Sequence, residues 1–415
     1  MVITTLAHHI DLAWMWEAYR RTRKDGAVGV DKVDAGAYAA NLEANLKDLL
    51  ERFKSGTYVA PPVRRVHIPK GDRTKTRAIG IPTFEDKILQ RAVAMVLEAV
   101  YEQDFLDCSF GFRPGRSAHQ ALEHVWKQLM GMRGGWVLDL DIASFFDTLD
   151  FGHLRSILDQ RVRDGVIRRM IDKWLAAGVV EAGQVTRPTS GTPQGGVISP
   201  LLANLYLHEV LDVWFERDVK PRLKGAALLV RYADDGVIVF ADVRDAQRVL
   251  EVLAKRMAKY GLKLHPDKTR LVPFCRPQKR PGERGGNEPR PGTFDFLGFT
   301  HYWGATRKGS WMVKRKTAAA RTQKALRAVT LWCRYHMHWS VKEQHRMLSA
   351  ILRGHFAYYG IAGNSFSIGA FRQRVERLWR VSLARRSQKS KMTWVRFGHL
   401  LKLYPLPRAR VIHAA

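Results

Sequence analysis

"LVRYADDGVIVF", residues 229–240, sets Asp234 beside Asp235 inside an apolar run. Apolar residues flank a short polar break, which reads as strand, tight turn, strand. Strands disfavour Asp, and adjacent anions repel. The pair makes sense at a hairpin tip, either as a solvated turn or as ligands for a cation. The second role needs other oxygens nearby. "WVLDLDIASFFD", residues 136–147, offers them: it reads as another strand and carries Asp139 and Asp141. Strand alternation puts both on one face, so spacing leaves open which of them joins the pair. If the two strands are neighbours, three or four carboxylates converge, and such a cluster needs cations to neutralise it. Mg²⁺ prefers oxygen ligands and commonly takes one or two carboxylates plus substrate phosphates. Two such ions can clamp the attacking and leaving oxygens of an in-line phosphoryl transfer.

The rest of the composition points to a polyanionic partner. The chain has 415 residues, enough for two or three domains, and a formal net charge of +30. That charge is a statement about partners, with nucleic acid the first expectation. It is also uneven. Residues 307–415 hold 24 Lys or Arg against Glu343 and Glu376 alone, a net +22. One-signed charge this dense suits a surface that tracks phosphates. Cys108, Cys275 and Cys333 are far apart, which suggests neither a disulfide framework nor a zinc site and fits a reducing compartment. The opening "MVITTLAHHIDLAWMW" does not read as a signal peptide, and no apolar stretch approaches membrane-spanning length. A soluble intracellular protein is expected, with no membrane partner.

Along the chain, helices and strands alternate in the centre, while both ends are mainly helical. "AYAANLEANLKDLLERFKSG" has helical spacing and stops at Gly56. "VRRVHIPKGDRTKTRAIGIP" reads as a hairpin around a basic turn, and "EDKILQRAVAMVLEAVYEQDF" as a helix. "GTPQGGVISPLLANLYLHEVLDVWF" is a Gly/Pro loop opening a long apolar helix. Residues 275–293 are rich in Pro, Gly and Arg and read as a loop insertion. "FDFLGFTHYWG" reads as one more strand, and the pattern after about Arg307 as helical and basic. The expected class is α+β.

With these pieces in place, the chain resembles the reverse transcriptases, and among them the group II intron type (intron-encoded reverse transcriptase and maturase). "YADDGVIVF" looks like that family's catalytic hairpin. The other blocks follow in order: "VHIPKGDRTKTRAIGIPTFEDKILQRAV" and "SFGFRPGRSAHQAL" for the fingers, then "DLDIASFFDTLD", "GTPQGGVISPLLANLYLHEVLD", "GLKLHPDKTRLV" and "FDFLGFTH" for the palm. "TRKDGAVGVDKVD" near the start, and "LRGHFAYYG" and "RRSQKSKMTWVRFGHLL" near the end, look like the same lineage. The resemblance implies a right-hand polymerase, with fingers over 1–136, a palm of antiparallel sheet and helices over 137–306, and an all-helical thumb or maturase domain over 307–415.

It also implies RNA-directed DNA synthesis with two Mg²⁺ ions and deoxynucleoside triphosphates, on an RNA template with a DNA primer. Group II intron RNA would be the natural template and the bacterial cytoplasm the setting. By this resemblance Asp141, with the carbonyl of Ile142, and the pair Asp234 and Asp235 are metal ligands, while Asp139 matches no catalytic position. Phe146 matches the bulky residue that excludes a ribose 2′-OH. Lys70 and Arg77 match cations on the incoming triphosphate, Gln194 a residue lining the nucleotide pocket, and Lys268 a proton donor to the leaving pyrophosphate. Nothing after "RVIHAA" resembles the endonuclease domain of longer members, so the shorter branch is expected. A domesticated reverse transcriptase in phage defence or CRISPR adaptation, and a non-catalytic RNA-binding splicing factor, are the alternatives. Intact Asp141, Asp234 and Asp235 argue against the last.

Overall fold

The computed structural model describes residues 1–69, 76–181, 184–186, 191, 195–278, 281, 291–387 and 392–413. The chain divides into two compact units, one of residues 1–124 and 136–271 and the other of residues 125–135 and 272–415.

The first unit opens with helices α1 (Leu12–Arg21), α2 (Ala35–Ala39) and α3 (Leu42–Ser55). Gly56 ends α3 at φ 80°, the left-handed cap that glycine takes without a Cβ penalty. A hairpin of β1 (Val63–Pro69) and β2 (Thr76–Ile81) follows, paired from Arg64↔Ile81 to Pro69↔Thr76. Then comes α4 (Phe84–Tyr101), started by the Thr83 hydroxyl, which accepts from the Asp86 amide. Helix α4 is apolar nearly all round, so it is buried: Ile88, Leu89, Ala92, Val93 and Leu97 all lie in the core. Helix α5 (Ala118–Gly131) runs across the division between the units.

After β3 (Trp136–Leu140) come α6 (Phe145–Thr148), α7 (Phe151–Asp159) and α8 (Gly165–Ala176). The short strands β4 (Val179–Glu181) and β5 (Gln184–Thr186) were not foreseen, since three residues give almost no alternation to read. They extend the first hairpin into a sheet of order β2-β1-β4-β5. Glu181 of β4 holds His67 at 2.7 Å and Arg65 at 3.2 Å, so the basic hairpin is braced at its base.

Helix α9 (Ser199–Leu207) runs straight into a π-helix over His208–Val219, a rare geometry often found at functional sites. The hairpin β6 (Ala227–Tyr232) and β7 (Asp235–Phe240), helix α10 (Val243–Lys259) and β8 (Arg270–Pro273) complete the central sheet, of order β6-β7-β3-β8. One face of it, through Leu138, Leu140, Leu229, Ile238 and Phe240, joins the same core as α4 and α9.

The second unit has its own sheet of β9 (Phe294–Phe296), β10 (Phe299–Ala305) and β11 (Trp311–Thr317), in the order β11-β10-β9. Two expectations are corrected here. "FDFLGFTHYWG" is two strands, because Leu297 (φ 49°) and Gly298 (φ 81°) turn the chain back on itself. The stretch after Arg307 is also not helical throughout. It begins with β11, whose inward positions are Val313, Arg315 and Thr317, and the helices start only at Ala319. They are α11 (Ala319–Tyr335), α12 (Val341–Tyr359), α13 (Ser365–Ala384) and α14 (Trp394–Leu403), packed around Leu348, Leu352, Phe371 and Trp379. Asn364 ties strand to helices by accepting from the Thr317 amide at 3.0 Å. Strands β9 and β10, expected in the palm up to residue 306, therefore group with the helical unit. Among the described residues no helix is long and apolar enough to cross a membrane.

Candidate active site

The hairpin pairing runs to Tyr232↔Asp235, which leaves Ala233 and Asp234 as a two-residue turn. Ala233 sits at φ 57°, a conformation that costs an L-residue with a Cβ roughly 1–2 kcal/mol. Its neighbours hold it there. On one side, the backbone of Gly111 lies so close to the Ala233 amide that any side chain at 111 would collide with it. On the other, the guanidinium of Arg231 donates to the Ala233 carbonyl at 2.9 Å. Asp234 is half-buried at the tip, and Asp235 is exposed at the start of β7.

Strand β3 lies antiparallel to β7, and its last pair is Leu140↔Gly236. One step further, Asp141 and Asp235 leave the two strands at the same end of the sheet. The structure thereby separates the two carboxylates that alternation could not. Asp139 lies inside the strand, opposite Val237, and pairs with Arg270 at 3.4 Å. Asp141 lies past the strand end, beside the hairpin tip. Its backbone is pinned by residues that follow α10: its carbonyl accepts from the His265 amide at 2.8 Å and from the Thr269 hydroxyl at 3.3 Å. Ile142 continues the pairing, bridged to Leu264. Lys268 donates to Asp141 Oδ2 at 2.8 Å, so this expected site residue does reach the site, as a partner of the carboxylate itself.

Asp141, Asp234 and Asp235 supply only hard oxygen donors. Among the described residues no three acidic, His or Cys groups form a ready-made metal cage. Carboxylate oxygens are the donor type that Mg²⁺ takes together with substrate phosphates.

The surroundings of the tip are built by close backbone contacts. Ser144, at φ 48°, turns the chain from the end of β3 into α6. This buries Phe145 and leaves Phe146 partly buried, edge-on to it at 5.4 Å. Gly191 (φ 86°) lies against α6, where an added methyl would sit 2.7 Å from the Asp147 carbonyl oxygen. Gly195 (φ 116°) lies against β2, where a methyl would sit 2.5 Å from the Gly80 carbonyl oxygen and 2.8 Å from Ile79 Cγ2. The Gly-rich loop thus touches both the element that carries Phe146 and the strand that carries the exposed Arg77. Lys70 and Gln194 lie outside the described residues.

The loop's exit is anchored by residues that the sequence reading passed over. The Val197 and Ile198 amides donate to Gln90 Oε1 at 2.7 and 3.3 Å. Gln90 donates in turn to Asp86 at 2.9 Å, and Asp86 also accepts from Trp174 at 2.7 Å and Tyr58 at 3.1 Å. Two polar residues four apart on an otherwise buried apolar helix were the available signal. Burial raises the Asp86 pKa to about 6, against the pull of its three donors. Unfolded, the group titrates near 3.9. Between these values the folded chain binds more protons than the unfolded one, so this contribution is full below pH 4 and is lost as the pH rises through 6. The whole shift is worth about 3 kcal/mol. Urea midpoints from pH 4 to 7 should therefore fall more steeply for wild type than for Asp86→Asn; parallel curves would rule out the titration.

The family described as "Reverse transcriptase (RNA-dependent DNA polymerase)" matches residues 68–301. "Group II intron-encoded protein LtrA" of Lactococcus lactis subsp. cremoris is 42% identical over 187 residues, 44% of this chain and 31% of LtrA. "Protein YkfC" of Escherichia coli K12 is 34% identical over 291 residues, 62% of this chain and 76% of YkfC. "Nuclear intron maturase 2, mitochondrial" of Arabidopsis thaliana is 28% identical over 229 residues, 43% of this chain and 31% of the relative. The match thus spans about a third of LtrA and of the plant maturase, and about three quarters of YkfC.

Proposed function

Because the chain belongs to the reverse transcriptase family, we propose that it is an RNA-directed DNA polymerase of the group II intron type, which copies RNA into cDNA and also assists intron splicing. The observation that carries this reading is the emergence of Asp141 beside the Asp234–Asp235 hairpin at one end of the central sheet. The similarity to an intron-encoded protein and an intron maturase supports the intron setting, and we place the protein in a bacterial cytoplasm by analogy with the bacterial relative alone.

In this reading Asp141, the Ile142 carbonyl, Asp234 and Asp235 hold two Mg²⁺ ions. When bound, such ions favour the attacking oxygen and the leaving pyrophosphate of an in-line displacement. The chain's own residues do the rest. Arg77 and Lys70 bind the triphosphate, with the planar fork of Arg suited to a bidentate phosphate contact. Gln194 and the close-packed glycines line the nucleotide pocket. Phe146 excludes the ribose 2′-OH. Lys268 holds a proton beside Asp141 and delivers it to the leaving group. The net +22 of residues 307–415 binds the phosphates of template and primer. The deciding experiment is primer extension by the purified protein on poly(rA) with oligo(dT). Extension with Mg²⁺, its loss on chelation and its return on re-addition are expected. No extension from a protein that binds the template–primer would reject the reading.

A further inference from the structure

We infer that Arg231 is a positioning residue for polymerisation: its buried guanidinium clamps the carbonyl of Ala233 and so sets the direction in which Asp234 and Asp235 leave the hairpin. The inference rests on the reading above that these carboxylates serve the reaction.

Arg231 is 1% exposed, in a strand otherwise made of apolar residues and Tyr232. Its whole fork is used. Nε and Nη2 donate to the two oxygens of Asp212 at 2.7 and 2.6 Å, Nη1 to Asn204 Oδ1 at 3.0 Å and to the Ala233 carbonyl at 2.9 Å, and Nη2 also to Ser109 Oγ at 2.8 Å. These partners come from the π-helix, α9, the loop before Gly111 and the turn itself. Asn204 closes the circuit, because its Nδ2 donates at 2.6 Å to the carbonyl of Gly111, the residue wedged under the Ala233 amide. One polar network therefore grips the turn from both sides.

A buried ion pair is a poor way to gain stability, since apolar residues of like volume usually do as well. It is a good way to fix a backbone group. The turn needs fixing, because Ala233 holds a left-handed conformation that persists only where its surroundings over-determine it. The partner on the other side, Asp212, is fully buried within the π-helix. Lys could not replace Arg231, because a single ammonium cannot span Asp212, Asn204, Ser109 and Ala233 at once.

Removing either ion alone strands a buried charge and threatens the fold. The informative variant removes both, as Arg231→Met with Asp212→Leu. It is expected to melt close to wild type and to bind template–primer with unchanged affinity. Its kcat should fall about 10²-fold, the scale of an ångström-sized misplacement, and its affinity for Mn²⁺, read by paramagnetic resonance of the titrated ion, should weaken in step. Adding Ala233→Gly, which takes positive φ without strain, should restore part of both. Wild-type kcat and Mn²⁺ affinity in the double variant would overturn the inference, and so would a loss that Ala233→Gly leaves untouched. Arg231→Lys, which keeps the charge, provides a second test: it should lose kcat while folding, and full activity would again overturn the clamp. A wild-type protein that extends no primer sinks the polymerase reading; an active wild type with an unaffected double variant sinks the clamp alone.

Discussion

Asp234→Ala is expected to abolish primer extension on an RNA template, with a loss of about 10³-fold or more in kcat and no loss of template–primer binding. The size follows from what the residue offers. A charge-stabilising group aimed at a reacting centre is worth about 10²–10³ even when it is a neutral donor, and a carboxylate that holds a metal ion carries the ion's contribution too. The selectivity follows from position. Asp234 occupies the second place of a two-residue turn and makes no side-chain hydrogen bond among the described residues. It also shares its end of the sheet with Asp141 and Asp235. Removing one of three like charges relieves repulsion, so stability should stay within about 0.5 kcal/mol of wild type. Affinity for nucleic acid should persist, because we assign it to the basic residues of 307–415, whose number of phosphate contacts would set the salt dependence of binding. Extension within tenfold of wild type would show that Asp234 holds no essential ion.

Phe146→Ala should admit ribonucleotides. The expected change is about 10²-fold in the ratio of kcat/KM for deoxy- over ribonucleotides, matching the 1–3 kcal/mol typical of a steric clash with an added group. The side chain is not essential to the fold. Phe145 faces the core and is buried, while its neighbour Phe146 is only partly so. Truncation should therefore cost less than the roughly 3–5 kcal/mol of a fully buried ring. The backbone that aims it, Ser144 at φ 48° and the Gly191 contact on Asp147, does not depend on the ring. Competition between dGTP and GTP on a poly(rC) template measures the ratio directly. An unchanged ratio with intact deoxynucleotide use would remove Phe146 from sugar selection.

The elements that were legible in advance share one property: their signal lies within a dozen residues. The hairpin at 227–240 shows as apolar runs around a polar break, α3 as helical spacing closed by Gly56, and α4 as a long helical run whose second half is mostly apolar. Strand β11 was lost because its inward face includes Arg315, so its alternation was masked by the basic composition around it. The split of "FDFLGFTHYWG" into β9 and β10 was lost because a leucine, not a second glycine, takes the first left-handed position of the turn. Arg231 carries no local signal, since three of its four partners lie 19 to 122 positions away.

The amino-acid order alone determined that two acidic stretches would each end a strand or a turn, and which residues could serve there, because strand alternation and turn chemistry are short-range properties of the backbone. The family resemblance already favoured Asp141 over Asp139, and tertiary structure supplied the physical reason, since Asp141 lies past the strand end while Asp139 pairs with Arg270. Only tertiary structure decided that Gly111 packs under Ala233, that Gly191 and Gly195 seat one loop against α6 and β2, and that Arg231 pairs with Asp212 beneath the turn. Each of those outcomes depends on register and contact between segments tens to more than a hundred residues apart, where one residue of slip would turn a ligand to the opposite face of the sheet.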